Sequence, residues 1–196
     1  MTSDLERCLD HMAGCLADQL RTWALVGGLA VALRANPRLT RDVDVAVSVA
    51  DDVDAESVVL AMVQAGYGVA AVVEHDPSGR LATVRLAHPD WTGTLTDILF
   101  ASSGIEPEVA SQAQVLAAPS ALEVPVARIG HLMAMKVLAQ DDRRRPTDAD
   151  DLRALVEVAD ADEWDLAQRS VDQITERGFA RGRDLRGALR SLRPSD

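Results

Sequence analysis

Hydrophobic positions divide the first part of the chain into segments with two different periods. Between residues 5 and 20 they recur every three or four residues, which predicts an amphipathic helix of about five turns. Trp23–Val26 is a short apolar run before Gly27 and Gly28, so we expect a buried strand, a tight turn and then a short helix. Residues 42–47 alternate between valine and acidic or small residues, which predicts a strand with its valines on one face.

The pattern changes after about residue 100. Before it, we expect a helix with Asp51 or Asp52 as its N-cap and three strands at residues 67–73, 81–86 and 94–100. From Ile105 onward the pattern is mainly helical. The predicted helices lie near residues 108–114, 129–140, 147–158, 164–177 and 181–192.

This order of elements predicts an α+β fold. Its core, over residues 1–120, has a mixed β-sheet flanked by helices, and a helical C-terminal lobe follows over residues 121–196.

Composition is that of a globular protein, and the charge narrows the choice of partners. Of 196 residues, 47% are hydrophobic and 26% charged, and the formal net charge is −11. This acidity argues against a general nucleic-acid coat protein, because phosphate neutralisation needs a basic surface. Cys8 and Cys15 cannot build a disulfide scaffold, and no apolar run reaches the ~18–20 residues that a membrane span requires. We therefore expect a cytoplasmic protein that is neither exported nor embedded in a membrane.

Asp42 and Asp44 are the first residues with a chemical signal. Two positions apart on a strand, their carboxylates share a face and repel each other unless a cation lies between them. Such a pair can also be the solvated face of an edge strand. Gly27 and Gly28 lie thirteen residues earlier, where backbone amides at a helix N-terminus can bind phosphate. A phosphate-binding turn beside paired carboxylates is what phosphoryl or nucleotidyl transfer requires.

Further charged residues lie where apolar ones are expected. Asp97 interrupts an apolar strand, so it is either a third metal-binding carboxylate or an edge position that faces solvent. Nineteen of the twenty basic residues are arginine, and the exception, Lys136, falls on the apolar stripe of a predicted helix. On the next helix, Asp148 and Asp151 share a face with leucines. These residues form either a structural salt network or the second half of a nucleotide site.

Taken together, these motifs resemble a known family. Val26-Gly27-Gly28 and the string from Arg38 to Asp44 are similar to the signature of the DNA polymerase β-like nucleotidyltransferase superfamily. With Asp97, Met135-Lys136 and the string from Arg145 to Leu152, the chain resembles the AbiEii-type nucleotidyltransferase toxins of bacterial toxin–antitoxin pairs, including the mycobacterial MenT group. The likeness covers roughly residues 20–156.

This resemblance implies a bilobed enzyme and a role for each matching residue. Asp42, Asp44 and Asp97 would hold Mg²⁺, and Asp148 or Asp151 would close the site from the second lobe. The residues implied to bind the nucleoside triphosphate are Gly27, Gly28, Thr40, Arg41 and Lys136. Gly28 stands where serine is frequent in the superfamily, so a hydroxyl contact is lost while the backbone amide remains.

The resemblance to the MenT group further implies the 3′ end of tRNA as the acceptor and arrested translation as the result. A cognate antitoxin is the implied protein partner. Some relatives are silenced by phosphorylation at the position of Thr40, and we hypothesise the same here, since a phosphate among three carboxylates would obstruct nucleotide binding. The alternative is an ordinary strand threonine.

Arginines cluster in two places that could bind an RNA end. Residues 177–193 carry six arginines against Asp184, a local charge of +5. The candidate RNA-binding residues are Arg143, Arg144, Arg145, Arg181, Arg183 and Arg186. The same residues could instead form a solvated helix face or a docking surface for an acidic antitoxin.

Two other functions fit part of the pattern. A small-molecule nucleotidyltransferase of the aminoglycoside type would suit an acidic site, because its acceptor is polycationic. A non-catalytic binding module with a decayed site is opposed by the presence of all three carboxylates, the glycine pair and the lysine.

Overall fold

The computed structural model describes residues 3–35, 39–75, 78–118, 122–140 and 146–193, which form eight helices and one seven-stranded sheet. The helices are α1 (Asp4–Asp18), α2 (Gly27–Arg34), α3 (Asp52–Gln64), α4 (Glu106–Ser111), α5 (Ile129–Ala139), α6 (Pro146–Val158), α7 (Ala161–Glu176) and α8 (Leu185–Ser191). The strands are β1 (Trp23–Val26), β2 (Val43–Val47), β3 (Gly68–His75), β4 (Arg80–Ala87), β5 (Leu95–Leu99), β6 (Gln114–Ala117) and β7 (Glu123–Val126).

The sheet is mixed, as predicted, and its order is β3-β4-β5-β2-β1-β7-β6. Parallel pairing joins β2 to β5 and β1 to β7, while β1 and β2 are antiparallel. The remaining neighbours, β3–β4, β4–β5 and β6–β7, are also antiparallel. This order puts β2, which contains Asp44, between β1 and β5 at the centre of the sheet.

Local sequence explains where the helices begin. At α1, the Ser3 hydroxyl accepts a hydrogen bond from the Glu6 amide while the Glu6 carboxylate accepts one from the Ser3 amide, a reciprocal capping box. At α3, the Asp51 carboxylate accepts from the amide of Asp54 at 2.9 Å, which confirms Asp51 as the N-cap.

Helices connect the sheet to the C-terminal part of the chain. Helices α1 and α4 pack on β2, and α3 packs on β4. Helix α2 packs on β1 and β2 and also touches α5 and α6, and α5 in turn packs against α7 and α8. The N-terminus of α2 therefore lies where the sheet meets the later helices.

The predicted helical pattern after Ile105 is wrong over two short segments. Helix α4 ends at Ser111, and the chain then forms the hairpin of β6 and β7. Each strand has only four residues, too few for a clear period, and β7 becomes a strand because it pairs in parallel with β1 at Leu25 and Val126. The proposed boundary at residue 120 stays a prediction; β7 follows it in sequence. Among the described helices, none is long and apolar enough to cross a membrane.

Candidate active site

A cleft of about 880 Å³ lies between the sheet and the later helices. Its floor is formed by β2, β4 and β5, and one end is formed by the turn between β1 and α2. Helices α5 and α6 supply Lys136 and Asp148 on the other side. Of the residues predicted for the site, the cleft is lined by Gly27, Gly28, Thr40, Arg41, Asp42, Asp44, Asp97, Lys136, Asp148 and Arg181.

The turn from β1 into α2 requires a glycine at position 27. Gly27 has φ +65°, and a Cβ atom there would collide with the carboxylate of Asp44. The N-cap residue Val26 offers no side chain to the first amides of α2. These amides are therefore available to an anionic ligand in the cleft, and the helix dipole favours negative charge at that end.

Strand register brings two of the three predicted aspartates side by side. Asp44 on β2 is the cross-strand partner of Asp97 on β5, and Asp42 directly precedes β2. Within the described part of the chain, Asp42 and Asp44 form no hydrogen bond or ion pair, so their oxygens are available to a ligand. The three side chains line the same cleft, as the sequence predicts.

Crowded negative charge changes the ionisation of Asp44. Burial, followed by the charges of Asp97 and Asp42, raises the pKa of Asp44 to about 7. The cations Lys136 and Arg85 act in the opposite direction. A carboxylate with this pKa at the centre of the site would be held fully ionised by a bound cation.

Arg85 is a site residue that the sequence reasoning missed. It lies on β4 opposite Asp97 on β5, and its Nε and Nη2 atoms donate to the two Asp97 oxygens at 2.8 and 2.6 Å. The bidentate bond strongly favours the protonated guanidinium and raises the pKa of Arg85. A charged residue alternating with Val84 and Leu86 was a signal that Arg85 faces away from the core, but its partner depends on strand register.

Lys136 forms the second ion-pair cluster of the cleft. Its Nζ atom lies 2.6 Å from Asp148 Oδ1 and 2.7 Å from Asp151 Oδ2. Asp148 and Asp151 are buried, with 6% and 1% of their side chains exposed, and Lys136 is mostly covered, with 13% exposed. Asp148 lines the cleft and its Oδ2 atom has no hydrogen-bond partner within the described ranges, whereas Asp151 does not line it. The cluster around Lys136 is therefore a salt network that also forms part of the cleft wall.

Thr40 lies in the cleft but not on a strand. Strand β2 begins at Val43, so the alternative of an ordinary strand threonine does not hold and Thr40 lies in the segment before β2. Thr40 and Arg41 nevertheless line the cleft, Thr40 half-buried and Arg41 exposed.

The C-terminal arginines do not form one continuous free strip. Arg181 lines the cleft and donates to the Ser102 carbonyl at 3.0 Å. Arg183 donates to the Leu138 carbonyl at 2.7 Å, and Arg186 pairs with Asp172. Arg143, Arg144 and Arg145 lie outside the described residues. The RNA-binding role of all these arginines stays a prediction.

The segment after β5 contributes further residues that the sequence reasoning did not select. Ser102 and Ser103 line the cleft, and the buried Glu106 carboxylate accepts hydrogen bonds from their amides at 2.9 and 2.6 Å. Glu106 therefore fixes the backbone at the cleft wall. No spacing rule links a helix glutamate to the preceding serines strongly enough to predict this from sequence.

The carboxylates have the chemistry of a divalent-cation site but are not arranged as one. Among the described residues, no group of three or more His, Cys, Asp or Glu side chains is positioned to hold a single metal ion. Among the described residues, Asp42 and Asp44 have no hydrogen-bond or ion-pair partner, whereas both oxygens of Asp97 accept hydrogen bonds from Arg85. Carboxylate oxygens are the ligands that Mg²⁺ prefers, so the donor types fit.

Among the similar solved structures, one supports the fold with a TM-score above 0.5. The chain is similar to an antigenic nucleotidyltransferase-like protein from Paracoccidioides brasiliensis, with 18% identity, a TM-score of 0.55, and coverage of 98% of this chain and 94% of that chain. The nucleotidyltransferase toxin MenT4 from Mycobacterium tuberculosis H37Rv has 18% identity and a TM-score of 0.37, with coverage of 97% and 92%. The lincomycin-bound lincosamide antibiotic adenylyltransferase LnuA has 16% identity and a TM-score of 0.48, with coverage of 79% and 98%.

Family membership rests on the sequence. No curated protein matches the chain significantly. Residues 12–193, however, match the family described as nucleotidyl transferase AbiEii toxin of a type IV toxin–antitoxin system. The match spans the glycine turn, the aspartates and the lysine cluster, which the structure brings to one cleft. The chain therefore belongs to the AbiEii family of nucleotidyltransferase toxins and is a nucleotidyltransferase.

Proposed function

We propose that the chain is a Mg²⁺-dependent toxin that transfers a nucleoside monophosphate from a nucleoside triphosphate to the 3′ end of tRNA and so blocks translation. The observation that carries the proposal is the convergence of free helix amides, three aspartates and a mostly covered lysine on one cleft. Triphosphate binding needs the amides and the cation, and transfer needs the carboxylates.

The triphosphate is expected at the N-terminus of α2. The amides of Gly27 and Gly28 would donate to its β- and γ-phosphates, as at other helix N-termini that bind phosphate. An ammonium group has three donors, and Lys136 uses two of them on Asp148 and Asp151, which leaves one for a phosphate in the cleft.

The aspartates would supply the reactive half of the site. Asp42 and Asp44, joined by Asp97, would hold the divalent cation, which when bound neutralises phosphate charge and polarises the attacking hydroxyl. The acceptor 3′-oxygen forms a bond to the α-phosphorus, the bond from that phosphorus to the bridging oxygen breaks, and pyrophosphate leaves. The hydroxyl proton goes to Asp97.

Labelling of total RNA tests this function directly. The purified chain is incubated with total RNA, Mg²⁺ and each labelled triphosphate in turn, and label at tRNA size with one triphosphate is the expected result. Asp42→Ala should abolish labelling. Asp18→Ala, which removes an exposed acid at the end of α1, is the matched control and should leave it unchanged. Label on an added aminoglycoside but not on RNA would identify the small-molecule alternative.

The family implies an antitoxin partner, and we propose that it acts in part through Thr40. A phosphate on this half-buried cleft residue would add about two negative charges beside Asp42 and Asp44. Mass spectrometry of the chain co-expressed with its neighbouring gene should find phosphorylated Thr40, and Thr40→Glu should lower nucleotide affinity much more than Thr40→Ala does. An unmodified Thr40 after co-expression would remove this hypothesis.

A further inference from the structure

The fork between Arg85 and Asp97 is in conflict with the proposed metal-binding role of Asp97. Both carboxylate oxygens accept hydrogen bonds from the guanidinium, at 2.8 and 2.6 Å. The guanidinium occupies one side of the carboxylate and one lone pair of each oxygen, so a metal ion that binds both oxygens from that side must displace it. Arg85 and a divalent cation are therefore alternative partners of Asp97.

Exposure shows which member of the pair can move. The Arg85 side chain is 43% exposed and that of Asp97 is 14% exposed. Arg85 lines the cleft, and its neighbour on β3 is the small residue Ala71, so a guanidinium that leaves Asp97 has open space beside it. The pairing of β4 with β5 through the backbone does not depend on this side-chain bond.

When no metal is bound, Arg85 neutralises part of the negative charge of the three aspartates. Within the described ranges, Arg85 is the one cation that forms an ion pair with any of Asp42, Asp44 and Asp97. The cleft's lysine is already committed to Asp148 and Asp151. Arg85 thus supplies the positive charge that three converging carboxylates need.

We propose that Arg85 is a positioning residue that exchanges between two partners: it holds Asp97 in the metal-free enzyme and moves to the substrate's phosphates when a divalent cation takes Asp97. A guanidinium suits both partners, because its planar fork matches a carboxylate and a phosphate equally well. The inference rests on the metal requirement of the proposed function and adds a residue to it. It predicts effects of opposite sign: without Arg85, the metal binds more tightly and the triphosphate more weakly.

Mn²⁺ binding, followed by electron paramagnetic resonance without nucleotide or RNA, tests the first effect. Arg85→Gln should bind Mn²⁺ about tenfold more tightly than the wild type, since a competing cation has been removed. The matched control is Arg80→Gln, which removes an arginine of the same strand that pairs with Asp52 at 2.6 Å and does not line the cleft. Its Mn²⁺ affinity should equal that of the wild type. Asp97→Asn should weaken Mn²⁺ binding.

Calorimetry with a non-hydrolysable triphosphate and saturating Mn²⁺ tests the second effect. Arg85→Gln should bind this probe about tenfold more weakly than the wild type or Arg80→Gln. Unchanged or weaker Mn²⁺ binding by Arg85→Gln would overturn the inference, because Arg85 would then not compete for Asp97. If that variant does not fold, Arg85→Lys serves instead: an ammonium group lacks the planar fork that matches both oxygens, so Mn²⁺ binding should still tighten, and an unchanged affinity would overturn the inference.

These results separate the inference from the proposed function. If the Mn²⁺ affinities of the variants are as expected but tRNA is not labelled, only the proposal that tRNA is the acceptor is rejected. Absence of Mn²⁺ binding in every variant would reject both the inference and the metal requirement.

Discussion

Two ion-pair clusters lie at the cleft, and they differ in how far their side chains are buried. Lys136 with Asp148 and Asp151 joins α5 to α6, and its side chains are 13%, 6% and 1% exposed. Arg85 with Asp97 joins β4 to β5, and its side chains are 43% and 14% exposed. Buried charges are costly to separate, whereas a guanidinium that is 43% exposed exchanges its carboxylate for water at lower cost. The comparison indicates that the lysine cluster holds the cleft together and that the arginine pair is the part that can change.

Removal of the lysine should have the largest effect on stability. Lys136→Met leaves two buried carboxylates without their cation, and we expect a loss of about 3–5 kcal/mol in the free energy of unfolding, measured in urea. The triple variant Lys136→Met, Asp148→Asn, Asp151→Asn should recover a large part of this loss, because no unpaired charge remains. A loss below about 1 kcal/mol in the single variant would contradict the contrast between the clusters.

Asp44 lies between the two clusters and should respond to pH. Its pKa is raised from 3.8 to about 7 in the folded state, so the folded protein binds a proton that the unfolded chain has released between these values. Stability therefore falls as pH rises from about 4 to about 7 and stays low above it. Asp44→Asn removes this cost and should stabilise the metal-free protein by ~2–4 kcal/mol at pH 8 while abolishing transfer.

The quantity to measure is the difference in the free energy of unfolding between Asp44→Asn and the wild type. The contributions of the other titrating groups are the same in both proteins and cancel in this difference. The advantage of Asp44→Asn should be smaller at pH 5 than at pH 8. An advantage that does not change with pH would show that the carboxyl is ionised in the folded protein throughout this range.

The glycine turn lies against Asp44 in the wall of the cleft. Gly27→Ala introduces a Cβ at φ +65° against the Asp44 carboxylate, and we expect a loss of about 1–3 kcal/mol in stability together with weaker triphosphate binding. Unfolding in urea and calorimetry measure the two effects. Gly79→Ala is the control, because Gly79 has the same φ of +65° and nothing lies near its Cβ position. This variant should lose only the stability that a side chain costs at a positive φ.

Removal of the arginine should have the smallest effect on stability. Arg85→Gln breaks an ion pair whose arginine side chain is 43% exposed, and we expect less than about 1 kcal/mol of destabilisation without metal. A loss as large as that of Lys136→Met would show that the fork is structural and that the two clusters do not differ.

Sequence reasoning located most of the site and misplaced some of its surroundings. The helix and strand positions up to residue 99 follow from hydrophobic period and turn residues, and Asp51 is the N-cap that its residue type predicts. The hairpin of β6 and β7 could not be predicted, because four-residue segments acquire strand structure only from their neighbours. The alternative that Thr40 is a strand threonine does not hold, because the strand begins three residues later, at Val43. Element ends of this kind depend on where pairing stops.

Residue types and their spacing by themselves determined the family, the glycine turn, the three aspartates and the unusual position of the lone lysine. These are local properties of the chain: a short period, a glycine pair, a charge among apolar residues. Only the tertiary structure decided which charges meet. Strand register places Arg85 opposite Asp97, and the packing of α5 on α6 places Lys136 between Asp148 and Asp151. Partners twelve or more residues apart are chosen by the three-dimensional packing of whole elements, and no pattern within one segment encodes that choice.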